Sequence, residues 1–263
     1  MAYNGVNWLH GPFICEQGLW QARIPFAIIF DRNLDDLGAY RVVLLANQDA
    51  LSDAAVARLK AFVEAGGGLV ATDATGRRDD WRRLRPVNAM TEAFGLPVGA
   101  GPARVRFGKG RAAYLPRLDA PTEFRGGESL RGSHADTAFP PRNWRAVEAA
   151  LRWAAGGRFR FMVRGPRPVA AEFREGPTPR DRVVHLLNFA AKPVRGPIRV
   201  EMADEGHGWT LELASPDPLP KRGPALIRAR GRLAFALPGL ALYTACILRP
   251  APTGSRSTAR KDG

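Results

Sequence analysis

The chain has 263 residues, 45% of them hydrophobic and 24% charged, the make-up of a folded globular protein of one or two domains. The net charge of +14 raises nucleic acid as a partner, but lysine occurs only at Lys60, Lys109, Lys192, Lys221 and Lys261, and the arginines run along the whole chain. Their densest group, Arg77, Arg78, Arg82, Arg83 and Arg85, is interleaved with Asp79 and Asp80, so the charge reads as a solvated surface that repels its own copies and no nucleic-acid partner is expected.

No stretch approaches the ~18–20 apolar residues of a membrane helix. The start, MAYNGVNWLHG, lacks the basic and apolar regions of a signal peptide, so no membrane partner and a cytoplasmic location are expected. The two cysteines, Cys15 and Cys246, make neither a disulfide framework nor a zinc site and read as small buried apolar residues.

In chain order, residues 13–23 predict a helix ended by Pro25, and the apolar run Pro25 to Phe30 predicts a buried strand. Asp31, Arg32 and Asn33 form the loop after it, and Arg41 to Leu45 is a second buried strand. Ser52 is a good N-cap, with Leu51 before it as a staple partner for Val56. Ala55, Val56, Leu59, Phe62 and Val63 then recur at helical spacing until Gly66, Gly67 and Gly68 end the helix. Leu69 to Thr72 is the next strand, and strand, helix, strand with short links implies a parallel sheet covered by helices.

Beyond it come a short helix over 88–94 closed by Gly95, a hairpin over 105–115 turning at Gly108 to Arg111, and a loop over 119–141 rich in glycine and proline. A helix beginning at Arg142 or Asn143 carries Trp144, Val147, Leu151 and Trp153 and ends at Gly156. The period then changes. Apolar runs at 161–164, 169–173, 183–189, 198–202, 209–213, 226–229, 233–237 and 242–248, separated by turn residues, predict an all-β sandwich. The expected organisation is an α/β domain over 1–157, a β-sandwich over 158–250 and a disordered basic tail over 251–263.

The segment from Ile24 to Thr75, IPFAIIFDRNLDDLGAYRVVLLANQDALSDAAVARLKAFVEAGGGLVATDAT, resembles the β-galactosidase trimerisation domain of glycoside hydrolase family 42 and related glycosyl hydrolases. The Gly-Lys-Gly turn at 108–110, HLLNF at 185–189, LELASPDPLP at 211–220 and LPGLALYTACIL at 237–248 extend the resemblance to about residues 13–250. It implies a flavodoxin-like fold akin to class I glutamine amidotransferases, followed by the β domain. It also implies a catalytic (β/α)8 barrel in full-length relatives, for which ~250 residues are typical and this chain has no room. The hydrolase's acid and nucleophile sit on that barrel, so none is carried over.

Candidate chemistry is sparse. An amidotransferase needs a cysteine on a sharp turn after a strand, and Asp73, Ala74 and Thr75 stand there instead. Asp31 and Asp73 follow predicted parallel strands, whose carboxyl ends are where open α/β sheets bind ligands, so with Thr72 and Thr75 they form a candidate crevice; the bland alternative is a loop that caps Asp79 to Leu84 or binds water. Asp35-Asp36 and Asp79-Asp80 are adjacent pairs in polar loops rather than acids facing across a sugar site. His10, His134, His185 and His207 lack metal-ligand spacing, and the Gly-Lys-Gly turn lacks the following Ser/Thr of a P-loop, so no metal and no cofactor are expected. Trp81, between Asp80 and Arg82, is the exposed aromatic candidate for an interface or for sugar stacking.

The leading expectation is a non-catalytic accessory region that forms a homo-oligomer or associates with a separately encoded barrel. The alternatives are a fragment of a glycosyl hydrolase whose gene was split, and a carbohydrate-binding module built on the β domain.

Overall fold

The computed structural model describes residues 7–121, 139–157, 159–176, 178, 180–206, 208–219 and 223–251. Most of the expected loop at 119–141, nearly all of the expected tail at 251–263, and His134 and His207 lie outside the described residues. The chain divides into two compact units, one of residues 1–22 and 26–159, the other of residues 23–25 and 160–263. No helix among the described residues is long and apolar enough to cross a membrane.

The first unit is built on a mixed four-stranded sheet. Strands β1 (Val42–Leu45), β2 (Gly68–Thr72), β3 (Ala103–Phe107) and β4 (Gly110–Leu115) lie in the order β1-β2-β4-β3, parallel between β1, β2 and β4 and antiparallel between β3 and β4. Helix α1 spans Asn7–Gln21, α2 spans Asp53–Glu64, α3 spans Ala89–Phe94 and α4 spans Trp144–Ala154.

The β1-α2-β2 crossover forms as its sequence dictates. The Ser52 hydroxyl accepts the Ala55 amide at 3.1 Å, satisfying one orphan donor of the first turn of α2. Ala55, Leu59 and Val63 recur along one face of α2 and are buried. Strand β2 is buried along its whole length, as a central parallel strand must be. Leu69, Ala71, Leu59, Val63, Met90, Phe94 and Tyr114 share one apolar cluster.

Two close backbone approaches fix the outer layers. A Cβ on Gly110 would stand 2.0 Å from the Val63 carbonyl oxygen and 2.3 Å from that of Gly67, where α2 ends against the β3-β4 turn. A Cβ on Gly68 would stand 2.6 Å from the Ala154 carbonyl oxygen at the end of α4, whose neighbouring Trp153 carbonyl accepts Arg111 Nη1 at 2.8 Å.

The strand expected at Pro25 to Phe30 does not form. Residues 26–30 carry no regular structure and pair with no strand among the described residues, with Phe26, Ile28 and Phe30 exposed and Ile29 packed on the core. Among the described residues only β2 pairs with β1, whose other edge carries no strand, so the run has the composition of a strand without a neighbour to complete its ladder. A 3-10 helix, Asp31–Ala39, follows it and buries Leu37.

The second unit consists of two four-stranded antiparallel sheets. Strands β5 (Phe161–Arg164), β8 (Val194–Ala203), β10 (Ile227–Ala229) and β11 (Arg232–Leu240) lie in the order β10-β11-β8-β5. Strands β6 (Val169–Glu175), β7 (Arg182–Asn188), β9 (Trp209–Ala214) and β12 (Tyr243–Pro250) lie in the order β6-β7-β12-β9. Alternate residues point inward: Val184 and Leu186 of β7 with Cys246 and Leu248 of β12 meet Ile198, Val200, Leu233 and Phe235 of the other sheet in one cluster. His185, on the opposite face of β7, is part-buried with Nδ1 2.6 Å from the Tyr243 hydroxyl.

Substituting Gly110→Ala is expected to cost about 3 kcal/mol, because backbone rather than a flexible side chain occupies the space its methyl needs. Gly101→Ala, where nothing lies within 4 Å and the backbone is ordinary, should be neutral or slightly stabilising. Urea unfolding of the intact chain distinguishes the two.

Candidate functional site

The carboxyl ends of β1 and β2 end in loops that are stitched together. Past β1, Asn47 takes a left-handed backbone (φ 56°) and its amide donates to Thr72 Oγ1 at 3.0 Å. Its side-chain oxygen accepts the Ala74 amide at 3.2 Å. The Thr75 hydroxyl is fully buried, accepts the Gln48 amide at 3.1 Å, and lies 2.7 Å from the Thr72 carbonyl and 3.1 Å from that of Leu45. Three of the four candidate crevice residues, Thr72, Asp73 and Thr75, therefore belong to one network.

Asp73 is the strained member. It sits at φ 52°, a left-handed conformation that costs a non-glycine residue, and aspartate tolerates it better than most. Its carboxylate accepts the Leu118 amide at 3.1 and 3.2 Å, and its carbonyl accepts the Tyr114 hydroxyl at 2.8 Å. Burial pushes its pKa up, against the hydrogen bonds from Thr72 and Leu118 and the charge of Arg117. Asp31 stands apart. The strand expected before it is absent, and it lies exposed at the start of the 3-10 helix, outside this network.

The cysteines are chemically quiet. Burial, reinforced by the charge of Asp73, pushes the Cys15 thiol up to about 12, and burial alone does the same for Cys246. Neither is a thiolate nucleophile near neutrality. Among the described residues no group of three or more His, Cys, Asp and Glu side chains is placed to hold a metal ion.

The same stitching carries outward to Trp81. The Gly76 amide donates to the Gln48 carbonyl at 2.9 Å, the Arg78 amide to the Asp49 carbonyl at 2.9 Å, and the Leu51 amide to the Arg78 carbonyl at 3.0 Å. Arg85 reaches the Leu51 carbonyl at 2.8 Å and Asp53 at 2.6 Å. Beyond these anchors the chain folds into a closed tip. The Asp79 amide donates to the Arg83 carbonyl at 3.0 Å, while the Asp79 carboxylate accepts the Arg83 amide at 2.8 Å and its guanidinium at 2.7 Å. Partial desolvation works to raise the Asp79 pKa, and these bonds from Arg83, with one from the Trp81 amide, outweigh it and lower the pKa. The tip holds Trp81 77% exposed, with Leu84 and Val87 exposed nearby in the chain. Sequence reasoning found Trp81 but missed Asn47, whose left-handed backbone leaves only a weak mark in the sequence, as an asparagine after an apolar strand.

Thr75→Val keeps the shape but strands the Gln48 amide, and should cost about 2 kcal/mol, whereas Thr75→Ser should retain most of the stability. Asp73→Asn should be at least as stable as the parent at neutral pH. With its native pKa raised, the Asp73 contribution is complete below the ordinary carboxylate range and lost as pH rises through the native value. The advantage of the amide should thus shrink on acidification, which chemical denaturation at pH 3 and pH 7 measures.

The comparisons with known proteins agree with the resemblance read from the residues. Residues 17–96 match the family model described as the beta-galactosidase trimerisation domain. No curated protein matches the chain. Among solved structures, it is similar to the beta-galactosidase from Bacillus circulans sp. alkalophilus, at 14% identity and a TM-score of 0.55, covering 94% of this chain and 38% of that one. It is similar to alpha-L-fucosidase isoenzyme 2 from Paenibacillus thiaminolyticus, at 17% identity and a TM-score of 0.55, covering 90% of this chain and 44% of that one. It is also similar to Gan42B, a GH42 beta-galactosidase from G. stearothermophilus, at 15% identity and a TM-score of 0.52, covering 90% and 36%. At these identities the likeness is one of fold, and the chain spans less than half the length of each of these proteins. Over residues 17–96 the chain thus carries the sequence pattern of the β-galactosidase trimerisation domain.

Proposed function

We propose that this chain is a non-catalytic accessory and oligomerisation region of a β-galactosidase-like glycoside hydrolase, mediating subunit contacts and supporting a barrel encoded elsewhere. The observation that carries the reading is the trimerisation-domain match over 17–96, in a chain whose fold likeness covers most of itself and only 36–44% of the three solved structures named above. On this reading residues 1–157 form a flavodoxin-like, amidotransferase-like domain, 158–250 a β-sandwich, and 251–263 a basic tail.

The strand ends at 72–75 serve structure here. Their hydroxyls and carboxylate are engaged with the chain's own backbone, which leaves a ligand little to bind. The carbohydrate-binding alternative draws less support, because Trp209 of the second unit is buried and Phe189 is its one large exposed aromatic among the described residues. Trp81 accordingly belongs to protein contact.

Sedimentation velocity of the purified chain over a concentration series, alongside hydrolysis of a chromogenic β-galactoside, tests the reading. Concentration-dependent self-association with no hydrolysis is expected. A monomer at every concentration would count against subunit contact, and turnover of the galactoside would overturn the non-catalytic assignment.

A further inference from the structure

Two exposed surfaces of the first unit are complementary in charge. The first is the strip left by the missing strand pairing. Phe26, Ile28 and Phe30 are 41%, 65% and 60% exposed in an unpaired segment, with Ala27 exposed as well and Ile29 packed on the core. The backbone amides of Phe26 to Ile29 have no hydrogen-bond partner among the described residues. An apolar strip with unpaired backbone is the kind of edge that proteins cover. Its C-terminal flank, residues 31–36, carries Asp31, Asp35 and Asp36 against the single Arg32; all three aspartates are exposed, and Asp35 is paired with Arg58 at 2.6 Å.

The second surface is the Trp81 tip. Trp81, Leu84 and Val87 are 77%, 58% and 49% exposed, within a segment holding five arginines against two aspartates; Arg78, Arg83 and Arg85 already pair with Asp49, Asp79 and Asp53, which leaves a smaller basic excess at the tip. The tip is closed by its own Asp79 and Arg83 bonds, so little ordering remains to be done when a partner arrives.

Like surfaces do not fit each other. Two arginine-rich tips repel, and so do two acid-flanked strips, in a chain whose net charge of +14 already keeps copies apart. The strip and the tip do fit, since each presents apolar side chains beside charges of opposite sign. Both fall inside the segment matching the trimerisation domain, so one chain carries both halves of the contact.

We propose that copies of this chain meet head to tail, the apolar strip at 26–30 and its acidic flank on one copy seating against the Trp81 tip of the next. This rests on the subunit-contact reading above and names the surfaces it uses. Such a heterologous contact joins unlike patches, and closes into a ring when the rotation between copies permits.

The test uses the full chain with Ile28→Lys, which breaks the strip, and Trp81→Glu, which breaks the tip. Both side chains are exposed, so circular dichroism should match the parent, and Ile28→Ser with Trp81→Ala replaces either variant that does not. Each variant alone should self-associate at least about tenfold more weakly in sedimentation equilibrium. An equimolar mixture should recover heterodimers and nothing larger, because only the strip of the Trp81 variant and the tip of the Ile28 variant remain intact. If the parent associates but either variant matches it, or the mixture stays as dissociated as its components, the head-to-tail contact is overturned while subunit contact stands. A parent that never associates overturns both.

Discussion

Parallel strands end in a row of backbone groups that point past the sheet, and each must find a partner when the loops above them are buried. In this chain that demand is met by the side chains between Asn47 and Thr75. The buried Thr75 hydroxyl reaches both loops at once, next to Leu45 at the end of β1 and Thr72 at the end of β2. The parallel pairing thereby continues beyond the strands as the Ala50 to Arg78 bridge, and that bridge sets where the chain leaves for the Trp81 tip. A tryptophan at 77% exposure could adopt many positions on a loose loop, and here its flanks are fixed before any partner is present.

The first unit was legible where local chemistry and the tertiary result agree. Ser52, the apolar repeat through Val63 and the glycines after it each state the same boundary of α2, and the structure keeps them all. The run Pro25 to Phe30 shows the limit. Its composition is that of a strand, yet a strand is completed by a neighbour, and no local pattern specifies whether that neighbour exists. The same limit reaches Asp31, which follows no paired strand and so does not share a sheet end with Asp73. Thr72, Asp73 and Thr75 share one hydrogen-bond network; their partners, Asn47, Gln48 and Leu118, come from distant positions that spacing does not reveal.

In the second unit short apolar runs between turn residues marked every strand of the described residues, most of which turn one face to a common cluster. The pairing order did not follow from it. Strand β8 lies between β11 and β5, and β12 between β7 and β9, arrangements set by contacts far apart in sequence. Two polar residues on the inward register of β7 illustrate how the ends are managed. Arg182 is buried with Nη1 donating to the Asp181 carbonyl at 2.9 Å and Nη2 3.4 Å from Glu205, while its Nε has no hydrogen-bond partner among the described residues; the Asn188 side chain donates to the Lys192 and Ala241 carbonyls.

Net charge is the feature of this sequence most easily misread. A value of +14 acts over the whole molecule and favours separation, while recognition is decided by the local pattern within a Debye length, about 8 Å at physiological ionic strength. At that range much of the excess is already answered, as by Asp35 against Arg58, Asp49 against Arg78 and Asp53 against Arg85. Past these pairs, and that of Asp79 with Arg83, the flank at 31–36 still carries more aspartate than arginine and the tip at 77–85 more arginine than aspartate. Added salt screens the long-range repulsion as well as the attraction between these flanks, so the two electrostatic effects oppose each other, and the apolar contact at the centre of each surface, insensitive to screening, decides whether copies hold together.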